Sequence, residues 1–267
     1  MSGGAGPPPG RRSTWAGGTT AETSWAVYLD AFHGQRAGIT ETVLSHAFNA
    51  DGADPYEWVA EPLPRSGRIL DLACGSAPMA AHLAGRTYLG VDLSAAELAQ
   101  AATRGVRVAR ADVAQLPVAD RSVDAVVMSM ALMLVPLQPT LREIARVLRP
   151  GGTFVATVPH HRPLPLRDGL RYARLCLALR HAGLHYPNDD QLRDPVAAFG
   201  AAGLSLQQDE ATAFACHLGT ADVAEQLLSS LYLPDVAARR LDAGVRIVRR
   251  WVGTDLTAPL RRFIAVR

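Results

Sequence analysis

The chain has no lysine: all 27 of its basic residues are arginine, so no chemistry here runs through a lysine amine. Beside abundant alanine, glycine and proline, this reads as the coding bias of a GC-rich genome rather than a device for gripping anions. Cysteine is scarce as well. Cys74, Cys176 and Cys216 are odd in number and widely scattered, which offers neither a disulfide framework nor a zinc-binding spacing. A reducing, cytoplasmic setting and no bound metal are expected. Charge of one sign is also lacking: a net +2 is too little to argue for nucleic acid or a membrane as partner. The longest apolar run, residues 123–135, is interrupted by Asp124 and Ser129. It suits a buried strand entering a loop, not a membrane span. The first residues carry no apolar segment of the signal-peptide kind.

What is present is an ordinary globular composition, 48% apolar over 267 residues, enough for one α/β core with additions. Residues 1–20, rich in Gly, Pro, Ser and Thr, are expected to form a disordered tail. Residues 21–60 read as an N-terminal helical lid, with Trp25, Tyr28, Leu29 and Phe32 on one face and Thr40 capping a second helix. From residue 61 strands and helices alternate. Strands are expected at 68–72, 88–92, 106–110, 123–130 and 153–158. Helices are expected at 77–84, at 94–103 with Ser94 and Glu97 as a capping box, and at 139–148. A turn at 149–152 precedes the fifth strand. Later come helical stretches around 170–179, 192–202 and 221–250, with strands at 204–216 and 262–266. The pattern predicts an α/β fold: a doubly wound, mostly parallel sheet of seven strands, with cap segments near 160–190 and 217–255. Ligands of such sheets lie at the carboxyl ends of the strands.

The informative segment is Leu70-Asp71-Leu72-Ala73-Cys74-Gly75-Ser76-Ala77-Pro78, a strand followed by a turn of small residues that lets a ligand approach the backbone. A dinucleotide site would need more glycines and a pyrophosphate at a helix start. Here Gly75 stands alone, and the Asp71 carboxylate repels phosphate but suits an ammonium. Asp92 closes the second strand, where a carboxylate accepts hydrogen bonds from ribose hydroxyls; nicotinamide sites use the same device, so Asp92 does not separate the two ligands. Asp112 follows the third strand and can accept an adenine amino group, with Val113 offering an N–H and an apolar side. S-adenosylmethionine, with an ammonium, a sulfonium and no phosphate, fits this set.

In these motifs, from about Arg68 to Val158, the chain resembles class I methyltransferases of the ubiquinone-biosynthesis and related small-molecule type. Residues 70–77, 90–94, 111–117, 124–128 and 141–152 fall in the family's order, and the run Leu141-Arg-Glu-Ile-Ala-Arg-Val-Leu-Arg-Pro-Gly-Gly152 is especially typical. The resemblance implies the Rossmann-like methyltransferase fold and S-adenosylmethionine as cofactor. It implies that Asp71 anchors the methionyl amino group, Ala73 and Gly75 give backbone contacts, Asp92 holds the ribose and Leu93 lies against adenine. Asp112 and Val113 would read the base, Met128 and Ser129 would lie near the methionyl part, and Arg36 would pair with the cofactor carboxylate. Ala73 and Ala77 replace two family glycines, and Met133 stands where many relatives carry a histidine.

The expected reaction moves a methyl group to an O, N or C atom of a small molecule. A binding protein that does not methylate is the alternative, and a nucleic-acid methyltransferase is disfavoured because Met128-Ser129-Met130-Ala131 replaces the Asn/Asp-Pro-Pro-aromatic pattern. Where a general base is needed, His160 and His161, directly after the fifth strand, are preferred over His33 and His217, and Tyr28 could cap the acceptor. The chain is expected to be a monomer or homodimer.

Overall fold

The structure is a computed structural model and describes residues 20–267 except Asp235, with side chains from Trp25 onward; the tail expected at 1–20 lies outside the described residues but for Thr20. Helices α1 (Thr20–Gln35) and α2 (Ile39–Leu44) open it, separated at Gly38, whose φ of 76° is left-handed. A two-residue strand β1 (Ala47–Phe48) and helix α3 (Pro55–Ala60) follow. Asp54 starts α3 by accepting the Tyr56 and Glu57 N–H groups at 2.8 Å, and Pro55, which has no N–H to lose, takes the first helical position.

The alternating region then runs β2 (Arg68–Leu72), β3 (Thr87–Asp92), α4 (Ala95–Ala102), β4 (Val108–Arg110), β5 (Val123–Ser129), α5 (Leu137–Val147) and β6 (Leu148–Pro159). The helix expected at 77–84 is a 3₁₀ helix, Pro78–Leu83. The remainder is α6 (Leu166–Leu179), α7 (Pro195–Gly200), β7 (Ser205–Leu218), α8 (Ala221–Ser230), α9 (Ala238–Val248) and β8 (Thr254–Val266). The single helical stretch expected at 221–250 is two helices, parted by a segment that contains Pro234.

All strands join one sheet in the order β1-β7-β8-β6-β5-β2-β3-β4. The pairs from β6 to β4 are parallel, and β8, β7 and β1 add an antiparallel flank. The seven expected strands are joined by β1, whose two residues pair with Ala215 and Cys216 and are too few to show a period. Strand β8 starts at Thr254, eight residues before the expected 262. Its polar first half and Pro259 disguise it; Pro259 pairs with Ala213 on β7 and falls just where the ladder to β6 stops at Leu260.

Side-chain alternation builds two layers. Leu70, Leu72, Val126, Met128, Phe154 and Ala156 face one way, onto α5 and α7. Ile69, Ala125, Val127 and Val155 face the other, onto α2, α3 and the 3₁₀ helix. A third apolar cluster joins α6, α8 and α9 to the antiparallel flank through Leu175, Leu179, Leu228, Val248, Phe214 and Leu260. Strand β2 lies between β3 and β5, so the chain leaves the strands β2 and β5 in opposite directions across the sheet. That reversal opens a crevice at the carboxyl edge.

Candidate active site

A cavity of about 540 Å³ fills this crevice. Its floor is made by the residues just past four strands: Ala73, Cys74, Gly75 and Ser76 after β2, Leu93 and Ser94 after β3, Asp112 and Val113 after β4, and Met130 and Ala131 after β5. Asp71, Asp92 and Ser129, at the strand ends, also line it. The lid contributes Leu29, Asp30, His33, Gly38, Thr40 and Glu41, and the connection after α8 contributes Tyr232.

The β2 turn is tight. Ala73 and Ala77 both take left-handed φ values, 51° and 62°. Glycine would take this backbone freely, and a methyl group at each position is strained by about 1–2 kcal/mol per residue. The Ala77 N–H closes the turn onto the Cys74 carbonyl at 2.8 Å. Burial pushes the Cys74 thiol well above its usual range, with Asp71 and Asp92 adding to the rise, so it packs as a small apolar residue.

Two carboxylates dominate the electrostatics. Asp71 is 1% exposed and accepts the Tyr88 hydroxyl at 2.7 Å. Burial pushes its pKa up to about 7; the Tyr88 hydrogen bond opposes the shift and the nearby Asp92 charge adds to it. Asp92 accepts the Gly75 N–H on one oxygen and the Ser94 N–H on the other, each at 2.8 Å. Burial also raises its pKa, against those two bonds. Each oxygen of such a held carboxylate keeps a lone pair for a ligand. Leu93 beside it is 45% exposed, an apolar surface open to a flat ring. Asp112 accepts the Ala114 N–H at 2.9 Å, which fixes the carboxylate at the cavity edge.

The lid is fastened to the floor by acids. The capping box expected at Ser94 and Glu97 is half formed: the Ser94 hydroxyl accepts the Glu97 N–H at 3.4 Å. The Glu97 side chain, however, turns away from the cap. It accepts the Gly38 N–H at 2.9 Å and lies 2.8 Å from His33 Nδ1. Glu41 accepts the Ser76 hydroxyl at 2.6 Å and pairs with Arg104. His33 Nε2 lies 3.3 Å from the Tyr232 hydroxyl, so His33, Glu97 and Tyr232 form a chain along the wall.

Of the residues singled out in the sequence, Asp71, Ala73, Gly75, Asp92, Leu93, Asp112, Val113 and Ser129 come together around this cavity. Five do not line it. Met128 is fully buried, because strand alternation turns it into the core. The Arg36 guanidinium lies 4.9 Å over the Phe32 ring. Tyr28 packs between Trp25 and Phe32, and its hydroxyl accepts the Leu233 N–H at 2.8 Å, which holds the neighbour of Tyr232 in place. His160 ends β6 with its N–H on the Pro259 carbonyl. Burial, with Arg261 and Arg162 nearby, holds its imidazole below the ordinary value. His161 is an exposed partner of Asp189 at 3.1 Å. The antiparallel flank captures the start of the loop after β6 and carries both histidines away from the crevice. His217, likewise, pairs with Asp255 at 2.7 Å on the exposed flank. Sequence reasoning missed Glu97, Glu41, Ser76, Met130 and Tyr232. Ser76 and Met130 sit in the strand-end turns and were legible there, whereas Glu97, Glu41 and Tyr232 are close to the cavity only through contacts between distant elements, and the one local signal, Glu97 three residues after Ser94, had a sufficient helix-capping explanation.

Residues 70–156 match the family described as methyltransferase domain. The demethylmenaquinone methyltransferase of Mycolicibacterium paratuberculosis is 38% identical over 129 residues, which cover 45% of this chain and 54% of that protein; the chain thus spans about half the length of the curated relatives it matches. Among solved structures, the [4+2]-cyclase SpnF superposes with a TM-score of 0.59 at 20% identity, covering 91% of this chain and 96% of that one. A phosphoethanolamine N-methyltransferase of Haemonchus contortus, solved with phosphomonomethylethanolamine and S-adenosylhomocysteine, gives a TM-score of 0.55 at 20% identity, covering 91% and 60%. The matched segment begins inside β2 and ends inside β6, the same parallel half of the sheet that builds the cavity floor, so the similarity to a methyltransferase domain falls on the residues that form the site.

Proposed function

We propose that the protein transfers a methyl group from S-adenosylmethionine to a small molecule with an apolar body. The observation that carries this reading is the donor set of the cavity: a buried and a half-buried carboxylate whose proton affinities are raised, set beside an exposed leucine. That set repels phosphate and matches an ammonium, a pair of ribose hydroxyls and an adenine ring. Asp71 would hold the ammonium, Asp92 the ribose, and Leu93 and Val113 the adenine, with Asp112 at its amino group and the backbone at Ala73 and Gly75 giving close approach. S-adenosylmethionine supplies an electrophilic methyl group on a positive sulfur. The chain's task is to align the acceptor with it and exclude water, and alignment is worth up to about 7–11 kcal/mol.

The acceptor would lie against Leu29, Met130, Ala131, Leu134 and Val135, the apolar side of the cavity. The base, where one is required, is His33 rather than the histidines after β6. With His33 Nδ1–H donating to Glu97, the Nε2 lone pair faces the Tyr232 hydroxyl, and a proton from the acceptor would reach His33 directly or through that hydroxyl. The relative named for demethylmenaquinone agrees with an acceptor of apolar, aromatic character.

A methyl-free use of the same fold is the second reading, favoured by one observation: the structure that superposes with a TM-score of 0.59 is a [4+2]-cyclase, so fold alone does not assign methyl transfer. Incubation with S-adenosylmethionine and candidate acceptors, read by mass spectrometry for a gain of one methylene mass, separates the two. In calorimetry Asp92→Ala should abolish S-adenosylhomocysteine binding in a protein that remains folded; unchanged affinity sinks the site. His33→Ala should slow turnover of a hydroxyl acceptor about 10²–10⁴-fold with cofactor affinity kept, and an unchanged rate removes it as base.

A further inference from the structure

Helix α6 is apolar on two sides. Its inner side is committed: Leu175 and Leu179 are buried in the cluster with α9 and β7. The Asp168 carboxylate accepts both the N–H and the hydroxyl of Thr257, at 3.1 and 2.7 Å, and pairs with Arg171. These contacts fix how the helix is turned, so its outer side cannot roll inward. On that outer side Leu166, Leu170 and Leu177 are 80%, 53% and 79% exposed. Their spacing, with Ala173 also exposed between them, is that of one helical line. Isolated exposed leucines are common; a line of them along one helix is not.

The charge beside this line is all of one sign on α6. Arg167, Arg174 and Arg180 flank the leucines and are exposed; α9, packed alongside, adds exposed Arg246, one turn after its exposed Asp242, and the 3₁₀ turn Arg249–Trp251 that follows adds exposed Arg250. The one carboxylate of α6, Asp168, is buried and bonded. None of these five arginines forms an ion pair among the described residues. Between the two helices is a second hollow of about 480 Å³, lined by Arg171, Arg174, Leu177, Arg250 and Trp251 among others. A chain-wide net charge of +2 conceals this local density.

We propose that the outer face of α6, with the arginine-lined hollow beside α9, docks the protein on a bilayer surface rich in anionic lipid. The leucines enter the interface as the guanidiniums meet lipid phosphates. A second copy of the chain is a poor occupant, because the same face would bring arginine against arginine. No helix among the described residues is long and apolar enough to cross a membrane, so the attachment is peripheral. The docking rests on α6 and α9 alone and stands whether or not the cavity methylates.

The test is sedimentation of the full chain with phosphatidylcholine vesicles, with and without phosphatidylglycerol. Binding should need the anionic lipid and fall as salt rises. Arg174→Gln and Arg250→Gln should each weaken it about fivefold. The triple change Leu166→Ser, Leu170→Ser and Leu177→Ser should weaken it about a hundredfold or more. All variants should keep wild-type affinity for S-adenosylhomocysteine, which shows that they are folded. The proposal is overturned if wild-type protein ignores anionic vesicles or if the leucine variant binds them as well as wild type. It is equally overturned if light scattering finds a dimer that the leucine changes disperse.

Discussion

Asp71 makes cofactor binding a proton-linked event. Its carboxyl is almost wholly inaccessible and burial raises its pKa from 3.8 to about 7. In the free protein it is then about one-tenth ionised at pH 6 and about three-quarters ionised at pH 7.5. An ammonium placed against it favours the charged form. S-adenosylhomocysteine should therefore bind several-fold, and up to about tenfold, more tightly at pH 7.5 than at pH 6, which is on the order of 1 kcal/mol. Near pH 7 binding should release about half a proton, seen in titration calorimetry as an enthalpy that varies with buffer ionisation heat. The sign for stability runs the other way. Between the unfolded and folded pKa values only the folded chain holds the proton, so the contribution is complete below about pH 4 and is lost as pH rises through 7. At pH 8 the buried charge costs up to about 4 kcal/mol, from about three units at 1.36 kcal/mol each. Asp71→Asn keeps an oxygen to accept the Tyr88 hydroxyl and removes the charge. It should abolish tight binding, flatten the residual pH dependence and stabilise the free protein at pH 8 by on the order of 2 kcal/mol in urea denaturation, since amide burial returns part of the gain. A flat affinity from pH 6 to 7.5 in the wild type, or a loss of stability in Asp71→Asn at pH 8, would refute the reasoning.

Ala73→Gly relieves a left-handed residue with φ 51° that lies on the cavity wall rather than in the core. The strain relieved, about 1–2 kcal/mol, exceeds the added unfolded-state entropy of about 0.4–1 kcal/mol, so the variant should gain roughly 0.5–1 kcal/mol in denaturant titration; a loss would show that the turn is unstrained. Asn188 donates from its side-chain amide to the Leu132 and Val135 carbonyls, each at 2.7 Å, and is 4% exposed. Asn188→Ala leaves buried acceptors unmade and should cost about 2–3 kcal/mol, with faster amide hydrogen exchange across residues 130–136; unaltered exchange there would dissociate Asn188 from the loop that carries Leu134 and Val135.

The parallel half of the sheet was legible because its signals are local. Strands buried on both faces read as short apolar runs, and the small-residue turn after Leu72 and the acids closing β2 and β3 stand in fixed positions relative to those runs. Asp71, Asp92 and Asp112 follow from that periodicity: a polar residue at or just past a strand's carboxyl end in a parallel sheet lies at the edge where the crevice opens. The reading failed where a position depends on what the residue packs against. His160 and His161 follow β6 in the chain, but β8 runs alongside β6 and takes that loop to the far flank. Met128 is one residue before a cavity-lining serine, and alternation alone sends it inward.

What the amino-acid order determined was therefore the sheet, the edge at which a ligand binds and the sign of the charge waiting there, since all three rest on interactions within a few residues. Tertiary structure decided how the lid closes over that edge and which histidine reaches it: Glu97 draws Gly38 and His33 of the lid onto α4, across 59 and 64 residues of chain. Such long-range hydrogen bonds form only once packing has brought the elements together, so no local pattern encodes them.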